Sequence, residues 1–105
     1  MTHPRYSAIV AAVPEMYGIS PETICSRAKH KNTVFTRQIV MYLCRTVKKC
    51  TYEYIGAYLG RDHATVMWAV KEIERRRKGD AELDADLNSL ADELRPIRVG
   101  TVLQI

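Results

Sequence analysis

Long apolar runs are missing from this 105-residue chain: none exceeds six residues, the length of residues 39–44, against about 20 for a membrane-crossing helix. A transmembrane segment is excluded. Cysteine is scarce: Cys25, Cys44 and Cys50 are an odd number with no CxxC pair, which argues against a disulfide framework and against a zinc site. All three read as reduced thiols, with Cys44 inside the apolar run as a small core side chain. His3, His30 and His63 show no metal-ligand spacing with them, so no metal is expected. The amino terminus has no basic region followed by a long apolar stretch, which points away from secretion and toward the cytoplasm. No GxxxxGK[ST] occurs, so neither a phosphate cradle nor ATPase activity is expected, and no nucleotide or other cofactor is implied. Internal repeats and low-complexity linkers are also absent. Length and ordinary composition, with 47% hydrophobic and 27% charged residues, fit a small globular protein.

Charge is present but unevenly spread. The net charge is +4, yet residues 1–79 carry 14 basic and 6 acidic side chains while residues 80–105 carry 2 and 6. The basic excess makes nucleic acid or an acidic surface the expected partner of the first segment. The organisation implied is a cationic domain over residues 1–79, followed by an acidic helix and apolar tail over 80–105.

Nearly every segment has helical periodicity, so the fold class is all-α. Helix one covers about residues 5–17, with Ile9, Val10 and Val13 on one side and Pro14 expected to kink or stop it. Ser20, Pro21 and Glu22 start a short second helix to about Cys25. Residues 26–32 form a basic loop, and a central buried helix follows over about 33–48. Thr51 begins a short fourth helix, and Gly60 with Arg61 breaks it. Asp62 caps a fifth that ends at Gly79, and Asp80 caps a sixth. In the sixth, Leu83, Leu87, Leu90 and Leu94 make a stripe that must bury against the domain or a second copy. Its carboxylates Glu82, Asp84, Asp86 and Glu93 are expected to point away from any DNA. Pro96 ends that helix, and residues 97–105 are apolar without helical period.

Helices four and five, joined by about two residues, have the layout of a helix-turn-helix. At 100° per residue, Val66, Ala69, Val70 and Ile73 share a core face. Ala64, Trp68, Lys71 and Arg75 then share the opposite face. Cations and apolar groups side by side suit a DNA groove, where they meet phosphates and thymine methyls. The alternative for Trp68 is burial under the leucine helix.

Gly60-Arg61-Asp62-His63-Ala64-Thr65-Val66, preceded by Tyr54-Ile55-Gly56 and by residues 36–43 (TRQIVMYL), resembles the C-terminal DNA-binding domain of the bacterial replication initiator DnaA over roughly residues 6–78. The resemblance implies a helical cluster around a helix-turn-helix that binds duplex boxes in origins and some promoters, without catalysis. It assigns Asp62, His63 and Ala64, with Trp68, to base edges in the major groove and Lys29 to the adjacent minor groove. Arg27 and Lys31 flank Lys29. With Arg45, Lys48, Thr65, Lys71 and Arg75 they are the expected phosphate ligands. Arg37 and Gln38 are expected to be structural. The sequence departs from the family pattern in three ways: a single Gly60 replaces Gly-Gly, Ala64 replaces Ser or Thr, and no ATPase module accompanies the domain. Met1 and the tail favour a natural small protein.

A competing function is a protein-interaction module of the same fold, dimerising or holding a replication protein through the leucine helix and tail. An enzyme fares worse, because the adjacent Asp62 and His63 diverge on a helix and cannot form an oriented pair.

Overall fold

The computed structural model describes residues 4–95, and these form six helices: α1 Pro4–Tyr17, α2 Pro21–Ile24, α3 Lys31–Thr46, α4 Tyr52–Leu59, α5 His63–Lys78 and α6 Ala81–Leu94. The fold is all-α among the described residues. Residues 96–105, where Pro96 and the apolar tail were placed, lie outside them.

Capping explains the helix starts. The Ser20 hydroxyl accepts from the Thr23 N–H at 3.2 Å, the Thr51 hydroxyl from Tyr54 N–H at 3.1 Å, and the Asp80 carboxylate from Leu83 N–H at 3.0 Å. Each satisfies one of the amide groups that the first helical turn leaves without a partner. Of the two outcomes expected at Pro14, an early stop is not found, and one boundary, the start of α3, differs from the sequence expectation. Pro14 lies inside α1 and does not stop it, since the helix runs on to Tyr17. Pro14 is buried, and its carbonyl accepts from Ile19 N–H at 2.9 Å, so the turn after the proline is closed from the other side. Helix α3 begins earlier than expected, which moves Lys31 and Asn32 from the basic loop into its first turn.

Helix α3 is the central element, packed against α1, α2, α4, α5 and α6. Its apolar stretch, Ile39 to Cys44 included, is buried, and burial pushes the Cys44 thiol far up, as expected of an inert core cysteine. Val66, Ala69, Val70 and Ile73 form the buried face of α5. Leu83, Leu87, Leu90 and Leu94 are all buried in the same core, where α6 meets α5, α1 and α3. The stripe therefore packs within its own chain. At roughly 1.5–3 kcal/mol for each buried leucine, α6 contributes substantially to a net stability of only about 5–15 kcal/mol.

Polar contacts fasten α6 further. Arg77 Nε meets Asp84 Oδ1 at 2.6 Å, Arg77 Nη2 donates to Asn88 Oδ1 at 2.7 Å, and Arg77 Nη1 donates to the Tyr42 hydroxyl at 2.9 Å. Tyr17 OH donates to Asp86 Oδ2 at 3.3 Å. Among the described residues no helix is long and apolar enough to cross a membrane.

Candidate nucleic-acid interface

The turn between α4 and α5 is built by two glycines with different tasks. Gly60 closes α4 at φ 71°, in the left-handed region that glycine enters without steric cost. Gly56 makes room: a Cβ there would lie 2.3 Å from the Arg61 carbonyl oxygen, and its own carbonyl accepts from Arg61 N–H at 2.8 Å. One glycine at the cap is thus sufficient to turn the chain.

Asp62 then caps α5, its Oδ1 accepting from Thr65 N–H at 2.8 Å. The Thr65 backbone N–H, helped by the Thr65 side chain, holds the Asp62 carboxyl below its usual range. The residue is exposed, so it caps the helix while its carboxylate still faces solvent. His63, Ala64 and Thr65 are exposed beside it, at a helix end where N–H groups and the dipole favour an anion.

The outward stripe is where helical spacing puts it. Ala64, Trp68, Lys71 and Arg75 are all exposed, and Trp68 retains 58% of its surface, which overturns the alternative of an indole buried under the leucine helix. Arg75 is not idle, for its guanidinium forks onto Glu72 through Nε at 3.0 Å and Nη2 at 2.7 Å. Each of the two partners favours the ionised form of the other.

The basic loop lies next to this stripe. Lys29, Gln38, Thr65 and Trp68 line one groove between α3 and α5, and Lys31 and Arg76 join Lys29 and Trp68 along its continuation. Arg27, Lys29 and Lys31 are exposed. Of the cations assigned to phosphate, only Lys31 lines this groove; Arg27, Lys71 and Arg75 are exposed outside it, and Arg45 and Lys48 are held by internal contacts. Arg45 is half-buried, stacked over the Tyr52 ring at 4.3 Å with Nη1 donating to Cys50 O at 3.0 Å. Lys48 is half-buried and donates from Nζ to Leu94 O at 2.8 Å, the C-terminal end of α6, where a cation suits the helix dipole.

Arg37 is structural, as expected, and only 5% exposed. Its Nε donates to Ile24 O at 2.8 Å, and its Nη2 donates to Ser26 O at 3.1 Å and Ala28 O at 3.0 Å. Burial chiefly, and then the neighbouring Arg61, lowers its pKa. Arg61 itself received no role from the sequence beyond breaking α4. Its Nη1 donates to Leu59 O at 2.8 Å and its Nη2 to Ser26 O at 2.9 Å. The available signal was its place inside the motif at residues 60–66, at a turn where a cation has many carbonyls to meet.

Residues 6–73 match the family model described as bacterial dnaA protein helix-turn-helix. The chain is similar to chromosomal replication initiator protein DnaA 1 of Chlamydia trachomatis, 34% identical over 88 residues that make up 84% of this chain and 19% of that protein. DnaA 2 of Chlamydia caviae is 41% identical over 70 residues, 67% of this chain and 15% of its own. DnaA of Deinococcus radiodurans is 33% identical over 87 residues, 83% and 19% respectively. The chain spans about a fifth or less of the length of these relatives. The matched residues take in the basic loop, the glycine turn and the outward face of α5 as far as Ile73, and the chain belongs to the bacterial DnaA helix-turn-helix family.

Proposed function

We propose that this chain binds duplex DNA with a sequence preference, α5 entering the major groove and the loop at residues 25–30 lying over the adjacent minor groove. The observation that carries the reading is the shared face: the exposed first turn of α5 and Trp68 stand beside a cationic loop across one groove. Asp62 is suited to accept from cytosine N4, His63 to donate to a base edge or lie on a thymine methyl, and Ala64 and Trp68 to meet methyl groups. Lys29 reads minor-groove potential, and Arg27, Lys31, Thr65 and Lys71 hold phosphates that fix the register. Arg75, Arg45 and Lys48 serve phosphates with whatever donors their internal bonds leave. The wide major groove of B-DNA admits such a helix, whereas that of A-form RNA is too narrow.

The role is that of a non-catalytic regulator in the cytoplasm, occupying initiator-type boxes in origins or promoters. The acidic helix α6 acts as a buttress to the cationic segment and stays off the DNA. The competing interaction module loses its leucine face, because those four side chains are buried in the chain's own core. Selection of bound fragments from a random duplex library tests the proposal. Recovery of one enriched motif is expected, and recovery of unenriched sequence would overturn the sequence preference.

A further inference from the structure

Ser26 O accepts two guanidinium groups at once, Arg37 Nη2 at 3.1 Å and Arg61 Nη2 at 2.9 Å. A carbonyl has two lone pairs and can take both. These donors come from two different elements. Arg37 stands on α3, whereas Arg61 stands on the turn that leads into α5, 35 residues along the chain from Ser26. Hydrogen bonds within the loop are short in sequence: Ser26 Oγ donates to Thr23 O at 2.7 Å and accepts from Ala28 N–H at 3.1 Å. They shape the loop but do not place it relative to α5.

Placement comes from the arginines. Arg61 is fixed at its backbone, with its N–H on Gly56 O and its carbonyl against the bare Gly56 Cα, so its side chain transmits the position of the turn. Among the described residues neither arginine is in an ion pair. The two cations therefore sit side by side with loop carbonyls as their acceptors, an arrangement that burial makes costly unless the hydrogen bonds are made.

We infer that Arg61, acting with Arg37 through the Ser26 carbonyl, is a positioning residue that fixes the loop carrying Lys29 to the reader helix, so that minor- and major-groove contacts are presented as one rigid surface. The inference rests on the DNA-binding reading for its consequence, though not for its geometry. Lysine cannot substitute, since one ammonium has no fork to span the Leu59 and Ser26 carbonyls.

The test has two arms on the full chain. Without DNA, amide exchange is followed in Arg61→Ala and Arg61→Lys. Residues 26–30 should exchange about tenfold faster in both, with core amides such as those of Ile39 and Leu43 within about twofold of the parent. Unchanged loop exchange in either folded variant would overturn the inference, and Arg61→Lys decides if Arg61→Ala does not fold. With the duplex selected from the library, each variant should lose about tenfold in affinity for that sequence and under about threefold for random DNA. In a Lys29→Ala background most of that loss should vanish, because the coupling runs through the loop. Full rescue by lysine, or losses that simply multiply with Lys29→Ala, would reduce Arg61 to a charge and overturn the assignment. Failure of the parent chain to bind any duplex would overturn the DNA reading alone, and the exchange arm would still decide whether Arg61 holds the loop.

Discussion

Leu87→Ala tests how far the fold depends on a helix that lies beyond the family-matched residues. Leu87 is 1% exposed and sits in the middle of the buried stripe of α6, with Leu83 and Leu90 on either side. Truncation removes most of its transfer free energy and leaves a cavity that its neighbours fill only partly, for a cost of about 2–5 kcal/mol. Taking about 3 kcal/mol, and about 4–8 °C of melting temperature per kcal/mol for a chain of this size, the midpoint should fall by roughly 12–24 °C. Thermal melts followed by far-UV circular dichroism read this directly. The transition should stay single, because all six helices contribute to one buried cluster. Glu93→Ala, on the exposed side of the same helix, is the control and should move stability by no more than about 0.5 kcal/mol. A Leu87→Ala midpoint within about 4 °C of the parent, about 1 kcal/mol at most, would refute the buttress and leave α6 as an appendage.

If about four of the exposed cations near the groove meet phosphates, duplex affinity should fall about a hundredfold between roughly 50 and 200 mM salt, and a flat response in a titration series would remove them from the interface. His63→Ala and Asp62→Ala should each weaken binding to the selected duplex by about tenfold to a hundredfold while sparing random DNA, as measured by fluorescence anisotropy on both. Equal losses on both would return the two residues to structure. Tyr17, pushed up to about 12 by burial and then by Asp86, should be the late phase in a tyrosinate absorbance titration, a phase that Tyr17→Phe deletes. Below the ordinary value of 10.0 the protonated hydroxyl is present in both states. Between 10 and 12 the unfolded chain has lost that proton and the folded one has not, so this group's contribution to stability should decline as pH rises through that window.

Local pattern carried much of the fold. The two faces of α5 follow from helical spacing alone, and Ser20, Asp62 and Asp80 announce helix starts because capping is decided within three residues. What escaped was set by contacts distant in sequence. Lys48 looks like a surface cation until Leu94 arrives from 46 residues away to receive it. Arg37 gave more away, since a cation inside an apolar helix must find acceptors, although nothing local says which ones. The task of Arg61 is not legible from its place in the motif, because its partner Ser26 lies 35 residues away on the loop after α2. Pro14 does not stop α1, because a missing hydrogen bond near the end of a helix is tolerated when packing outweighs it.

Arg77 anchors α6 at the far end of α5 from Asp62. At 1.5 Å per residue, the 15 steps from Asp62 to Arg77 put the clasp about 22 Å from the capped end. In physiological salt the Debye length is about 8 Å, so a carboxylate beside Arg77 lies more than two screening lengths from the first turn of α5, although it is close to Arg75. The acidic helix therefore has little electrostatic influence on the capped end of α5. The cations of the last turn of α5, Arg75, Arg76, Arg77 and Lys78, stand at that same end and offset the carboxylates locally, so the acidic helix is neutralised where it is anchored.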